Sequence, residues 1–76
     1  MGQNDTELKK LGKRISEERK KRGLTIEKLA YGVGISKGNL SELERGMHDP
    51  KYSTMCAIAD GLDIPISKLL SFRALE

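Results

Sequence analysis

Apolar residues along the 76-residue chain recur at spacings of three and four, the period of amphipathic helices, and no segment shows the alternation of a strand. Leu8, Leu11 and Ile15 mark the inner side of a first helix predicted over residues 6–22. Asp5 or Thr6 caps its start, and Gly23 stands where a left-handed residue would end it. Thr25 is the N-cap of a short second helix whose inner face is Leu29, Ala30 and Val33. Lys28, in place of an acid three residues on, leaves the capping box incomplete. Gly34 closes that helix, because a residue without a Cβ takes positive φ at no steric cost. Ser36 caps a third helix with Leu40 and Leu43 facing inward, ended by Gly46. After a loop from Met47 to Pro50, a fourth helix is predicted over residues 52–62, with Met55, Ile58, Ala59 and Leu62 on its apolar side. Asp63 is expected in a left-handed turn, and Pro65 suits the first turn of a fifth helix carrying Ile66, Leu69 and Leu70. The pattern predicts an all-α domain of five helices over residues 6–71, with a disordered N-terminus at 1–5 and a tail at 72–76.

The stretch from Ile26 to Arg45 is the most informative. Two short helices that cross steeply need a small residue where their backbones meet, and a glycine at the turn between them. Ala30 and Gly34 supply these, while Leu29, Val33, Ile35, Leu40 and Leu43 converge on one core. Such a turn leaves the outer face of the third helix clear of its own domain, free to enter a DNA major groove about 12 Å wide.

Residues 11–46, LGKRISEERKKRGLTIEKLAYGVGISKGNLSELERG, and residues 49–70, DPKYSTMCAIADGLDIPISKLL, resemble the phage-repressor and Cro-like (Xre) helix-turn-helix family. The resemblance implies a lambda-repressor-like domain that binds operator DNA as a two-fold dimer, as small controller-type transcriptional regulators do. By position, Ser36, Lys37, Asn39, Ser41 and Glu42 match the family's groove-facing residues. Their chemistry fits base reading: Lys37 donates to guanine O6 and N7, Asn39 pairs with adenine, Glu42 accepts from cytosine N4, and Ser41 serves either role. Thr25, Ser36 and the loop residue His48 are expected at the DNA backbone. Arg19 and Glu44 match an ion pair that ties the first helix to the third, a match of planar guanidinium to carboxylate. Several positions depart from the family pattern. Ile26 replaces a common glutamine, Gly38 brings no side chain to the reading face, and Gly32 weakens the second helix. Glu18 takes a customarily apolar place, so the first helix is expected to pack loosely, and Met47-His48-Asp49 lacks backbone-directed basic residues.

Charge adds a modest signal. Net charge is +3 and the isoelectric point about 9.2, with Lys9, Lys10, Lys13, Arg14, Arg19, Lys20, Lys21 and Arg22 crowded into residues 9–22. A basic stretch suits a nucleic-acid partner, although its plainer reading is a solvated helix face. Aromatic residues make up only 4%, too few for a single-strand binder that stacks bases. Tyr31 and Tyr52 are read as packing residues, and Cys56 as a small core residue. One cysteine and one histidine supply neither a disulfide nor a metal cluster, and a reducing cytoplasm is the expected setting. No apolar run reaches the roughly 18 residues of a membrane helix. His48 beside Asp49 lacks a nucleophile or second carboxylate, so no catalysis is expected, and no cofactor or small-molecule ligand.

The leading expectation is a sequence-specific regulator of transcription on double-stranded DNA. It would be a homodimer through the fifth helix and tail (Ile66, Leu70, Phe72 and Leu75), bound to a palindromic operator. The alternatives are an antitoxin-like or other protein-interaction module, or the DNA-binding fragment of a larger regulator.

Overall fold

Helix ends, more than helix interiors, set where the elements of this chain fall. In the computed structural model, which describes residues 3–71, the order is α1 Gln3–Lys21, α2 Ile26–Val33, α3 Lys37–Glu44, α4 Tyr52–Leu62 and α5 Ile66–Leu69. Helices α1 to α4 end alike. The amide of an apolar residue just past the end reaches back five residues to a carbonyl: Leu24 to Arg19 at 3.1 Å, Ile35 to Ala30 at 3.1 Å, Met47 to Glu42 at 2.9 Å and Ile64 to Ala59 at 3.0 Å. That closure requires a left-handed residue just before it. Gly34 meets the requirement at φ 89°, and Asp63 does so at φ 60°, the one non-glycine with positive φ among the described residues.

The chain starts its helices as economically. Thr25 Oγ1 accepts from the Lys28 amide at 3.1 Å to open α2, and Ser36 Oγ accepts from the Asn39 amide at 3.0 Å to open α3. Three residues, Gly34 to Ser36, therefore close one helix and cap the next.

The core gathers Leu11 and Ile15 of α1, Leu29 and Ala30 of α2, Leu40 and Leu43 of α3, and Ile58, Ala59 and Leu62 of α4, sealed by Ile64 and Leu69. Burying one Leu or Ile contributes about 1.5–3 kcal/mol, so every helix has a stake in this cluster. Helix α1 lies so close to α3 that a Cβ on Gly12 would fall 2.5 Å from the Glu44 carbonyl oxygen and nearer still to that of Leu43. No larger residue fits there, and nothing in the apolar pattern points to it.

Several expectations need correction. Helix α1 begins at Gln3, before the predicted start near Thr6, because apolar periodicity begins only at Leu8 and cannot register a polar first turn. Pro65 sits at the N-cap of α5 with extended ψ of 150°, one place before the first turn. Tyr31 is 90% exposed on the outer side of α2, and Tyr52 is also exposed at the first turn of α4, so neither packs in the core. Cys56 is only half-buried and is not among the residues of the core.

Glu18 also departs from expectation. Its side chain is 1% exposed, and instead of loosening α1 it is held by Arg22 at 2.7 Å, Lys21 at 3.4 Å and Arg14 at 3.8 Å. Arg14 in turn donates to the Lys68 carbonyl at 3.3 Å, joining α1 to α5. The Arg22 hydrogen bond holds the Glu18 carboxyl below its ordinary pKa, burial opposes this, and Lys21 and Arg14 add to the lowering. A depressed acid stabilises the fold above its unfolded value of about 4.3, and that stability is lost as pH falls through the folded value. The three cations are partly open to solvent, which moderates the gain. Glu18→Gln is expected to cost about 1–2 kcal/mol at pH 7 in urea unfolding. The difference from the parent should shrink as pH falls below about 4, and a gap independent of pH would contradict this account.

Candidate nucleic-acid interface

Helix α3 turns Leu40 and Leu43 into the core, which leaves its opposite side to solvent. Lys37, Gly38 and Glu42 are exposed there, with Ser41 half-buried. A Cβ at Gly38 would meet nothing within 4 Å, so the middle of this face is bare. Lys37 lies on the flank towards α2, where its Nζ stands 3.2 Å from Glu27 Oε2. Asn39 lies on the other flank, lining an open cavity of about 320 Å³ with Leu43, His48, Asp49, Pro50, Lys51 and Thr54. The expected base-reading residues thus do not form one even row. Gly38, Ser41 and Glu42 occupy the centre, with Lys37 and Asn39 at opposite edges.

Thr25 and Ser36 are exposed at the N-termini of α2 and α3. Each hydroxyl oxygen accepts its cap hydrogen bond, which leaves the hydroxyl proton to donate outward. His48 is half-buried, with Nε2 3.4 Å from Glu42 Oε1, a contact that is ionic only when the imidazole is protonated. Both charged residues of the expected reading set therefore have a partner of opposite or potentially opposite charge within the domain.

Three neighbours escaped the sequence reading. Glu27 was passed over because its partner is ten residues away across the turn. Thr54 falls within the predicted fourth helix and Lys51 just before it, neither with a role of its own, yet the fold brings both beside Asn39 and His48. The sequence signal for Lys51 is its place just before Tyr52 as the N-cap residue of α4, where no side chain caps the helix.

Behind this face, Arg19 grips Glu44. Nε donates to Oε2 at 2.7 Å and Nη2 to Oε1 at 3.0 Å, while Nη1 donates to the Leu24 carbonyl at 2.8 Å. The two side chains are 10% and 7% exposed. Hydrogen bonds donated to Glu44 push the arginine pKa up, against the opposing effect of burial. One guanidinium thereby joins α1, the turn after it and α3. The basic stretch of α1 looks different in this light: Arg19 serves Glu44, and Arg14, Lys21 and Arg22 serve Glu18, which leaves Lys9, Lys13 and Lys20 as exposed members. Among the described residues no cluster of three or more His, Cys, Asp or Glu side chains is placed to hold a metal ion, and no helix is long and apolar enough to cross a membrane.

An outward third helix, set across a second by a glycine turn and clamped from behind by the first, defines a helix-turn-helix domain of the phage-repressor and Cro-like type. The chain belongs to the helix-turn-helix family, whose profile matches residues 15–69. It is similar to the HTH-type transcriptional regulator SutR of Escherichia coli, 35% identical over 57 residues, covering 75% of this chain and 32% of that protein. It is equally similar, at 35% over 65 residues, to the immunity repressor protein of Bacillus phage phi105, covering 86% of this chain and 45% of the repressor. The chain therefore spans less than half the length of either relative. Among solved structures, the restriction-modification controller protein C.AhdI from Aeromonas hydrophila superposes with a TM-score of 0.83 at 31% identity. That match covers 84% of this chain and 97% of the controller.

Removing one partner of a buried bidentate pair leaves an uncompensated charge. Glu44→Ala is therefore expected to cost about 3–5 kcal/mol in urea unfolding. Arg19→Lys should lose much of the same stability, since an ammonium cannot form the two-pronged contact. A penalty below about 1 kcal/mol for Glu44→Ala would mean that the pair behaves as a solvated one.

Proposed function

We propose that this domain is a sequence-specific, double-stranded-DNA-binding transcriptional regulator that reads a palindromic operator as a homodimer. The observation that carries the proposal is the outer face of α3, clear of the rest of the domain, with Lys37 and Asn39 at its flanks and Ser41 and Glu42 between them. On DNA, Lys37 donates to guanine, Asn39 pairs with adenine, Glu42 accepts from cytosine N4 and Ser41 takes whichever partner is offered. The hydroxyls of Thr25 and Ser36 donate to phosphates beside two helix N-termini, with His48 at the backbone on the far side. Its work is binding without catalysis, cofactor or small-molecule ligand, and its setting is the cytoplasm.

Bare at Gly38, one half-site carries limited information, which makes dimerisation the means of reaching useful affinity. The proposed interface is α5 with the tail. Ile66 and Leu70 pack partly against the core, while Phe72 and Leu75 lie outside the described residues. A two-fold pair would set its recognition helices about 34 Å apart. Sedimentation equilibrium is expected to show a dimer at micromolar concentration, and a monomer at high micromolar concentration would refute this interface.

A second reading, a protein-interaction module of the antitoxin kind, draws on Tyr31, Met47 and Tyr52, large apolar side chains left exposed. The lengths of the relatives also fit a DNA-binding part of a larger regulator. Selection of bound sequences from random duplex DNA separates DNA reading from the interaction module. The expected result is a two-fold symmetric site whose affinity falls steeply with salt as counterions are released. Lys37→Ala and Asn39→Ala should each relax preference at one base pair per half-site, by about tenfold. Unchanged affinity and preference in both variants would refute the assigned reading face.

A further inference from the structure

We propose that Glu27 is a specificity-determining residue of this interface, which positions the Lys37 ammonium for a base edge and keeps it from the phosphates. The inference rests on the DNA-reading function proposed above.

Glu27 is in the first turn of α2 and Lys37 is the first residue of α3. Their side chains meet across the turn at 3.2 Å, and both are exposed, at 65% and 62%. An ion pair this open contributes little to stability, so holding the fold together does not account for it. Its geometric effect is larger. Lysine carries a point charge on a flexible four-carbon stem and has no planar fork to fix its direction. The next residue, Gly38, has no side chain to confine it, and Ser41, one turn on, is short. Glu27 is the group that fixes where the ammonium sits.

The pairing is compatible with base contact. An ammonium has three donors, and Glu27 takes one. Two remain, matching the O6 and N7 acceptors that guanine shows in the major groove. The same carboxylate stands in the first turn of α2, where phosphate would approach, and so repels the DNA backbone. Glu27 thus lowers general affinity for duplex DNA while raising discrimination between bases. Without it, Lys37 swings to the nearest phosphate and binds every sequence more equally.

Glu27→Gln, Glu27→Asp, Lys37→Ala and the Glu27→Gln/Lys37→Ala double variant would be compared with the parent on the selected site and on random duplex, across a range of salt. Circular dichroism melts would verify that each is folded. Glu27→Gln is expected to bind random duplex more tightly, with a salt slope steeper by about 0.9, the value of one added phosphate contact. It should lose about tenfold in preference at the base pair that Lys37→Ala relaxes. In the double variant preference should match that of Lys37→Ala alone, and Glu27→Asp should recover part of the parent's preference. The inference is overturned if Glu27→Gln raises affinity for selected and random DNA by one factor with preference intact. It is equally overturned if the Glu27→Gln effect persists without Lys37. A parent that selects no sequence would remove the DNA-reading function itself, an outcome distinct from both.

Discussion

The seam between α1 and α3 is the constraint on which the rest of this domain depends. A recognition helix of eight residues has little intrinsic stability and cannot hold its own orientation. Here its C-terminal end is fixed by the Arg19–Glu44 pair, and the absence of a side chain at Gly12 lets the α1 backbone close on the carbonyls of Leu43 and Glu44. The two devices act differently. Gly12 permits the close approach, while Arg19 selects one orientation within it, because a bidentate contact is directional. With that end held, the N-terminal end of α3 is set by the short turn from Gly34 to Ser36. What emerges between them is a face whose direction is fixed before any DNA arrives.

Repeated use of one helix terminus explains how so short a chain reaches this geometry. Each left-handed closure reverses the backbone within two or three residues, and three of the four return an apolar side chain towards the core, Leu24, Ile35 and Ile64, while Met47 after α3 stays exposed. Long connections would have left a 76-residue chain with too few residues to build a core.

Much of this was legible in the sequence, for physical reasons. Apolar spacing located the helices, Gly23, Gly34 and Asp63 marked left-handed ends, and the side-chain caps Thr25 and Ser36 were evident from residue type and position. The Arg19–Glu44 pairing was accessible only through family resemblance, since nothing local relates residues 25 positions apart. What could not be read was whatever depends on two elements meeting. Gly12 looks like a helix weakness until α3 is placed against it. Glu18 looks like a core defect until Arg14, Lys21 and Arg22 close over it. Tyr31 looks like a core residue because aromatic rings favour burial, yet the short α2 has only one inner face, and Leu29 and Ala30 fill it. Charge partners such as Glu27 with Lys37 belong to the same class of information.

The charge pattern changes meaning once those partners are known. A run of basic residues on α1 suggests an electrostatic footprint for DNA, but half of that run neutralises the buried or nearly buried acids Glu18 and Glu44. On the outer side of α3, Lys37 likewise stands against Glu27, while Glu42 meets His48, a partner of opposite charge only when the imidazole is protonated. Cations already paired within the domain add less to non-specific attraction for phosphate, which falls instead to exposed residues such as Lys9, Lys13 and Lys20. Whatever donors and acceptors α3 presents, their aim depends on how firmly the helix is held, and the clamp behind α3 and the cap at Ser36 hold it at both ends. The net charge of +3 is therefore a poor measure of how this domain meets DNA, and the position of each paired charge is a better one.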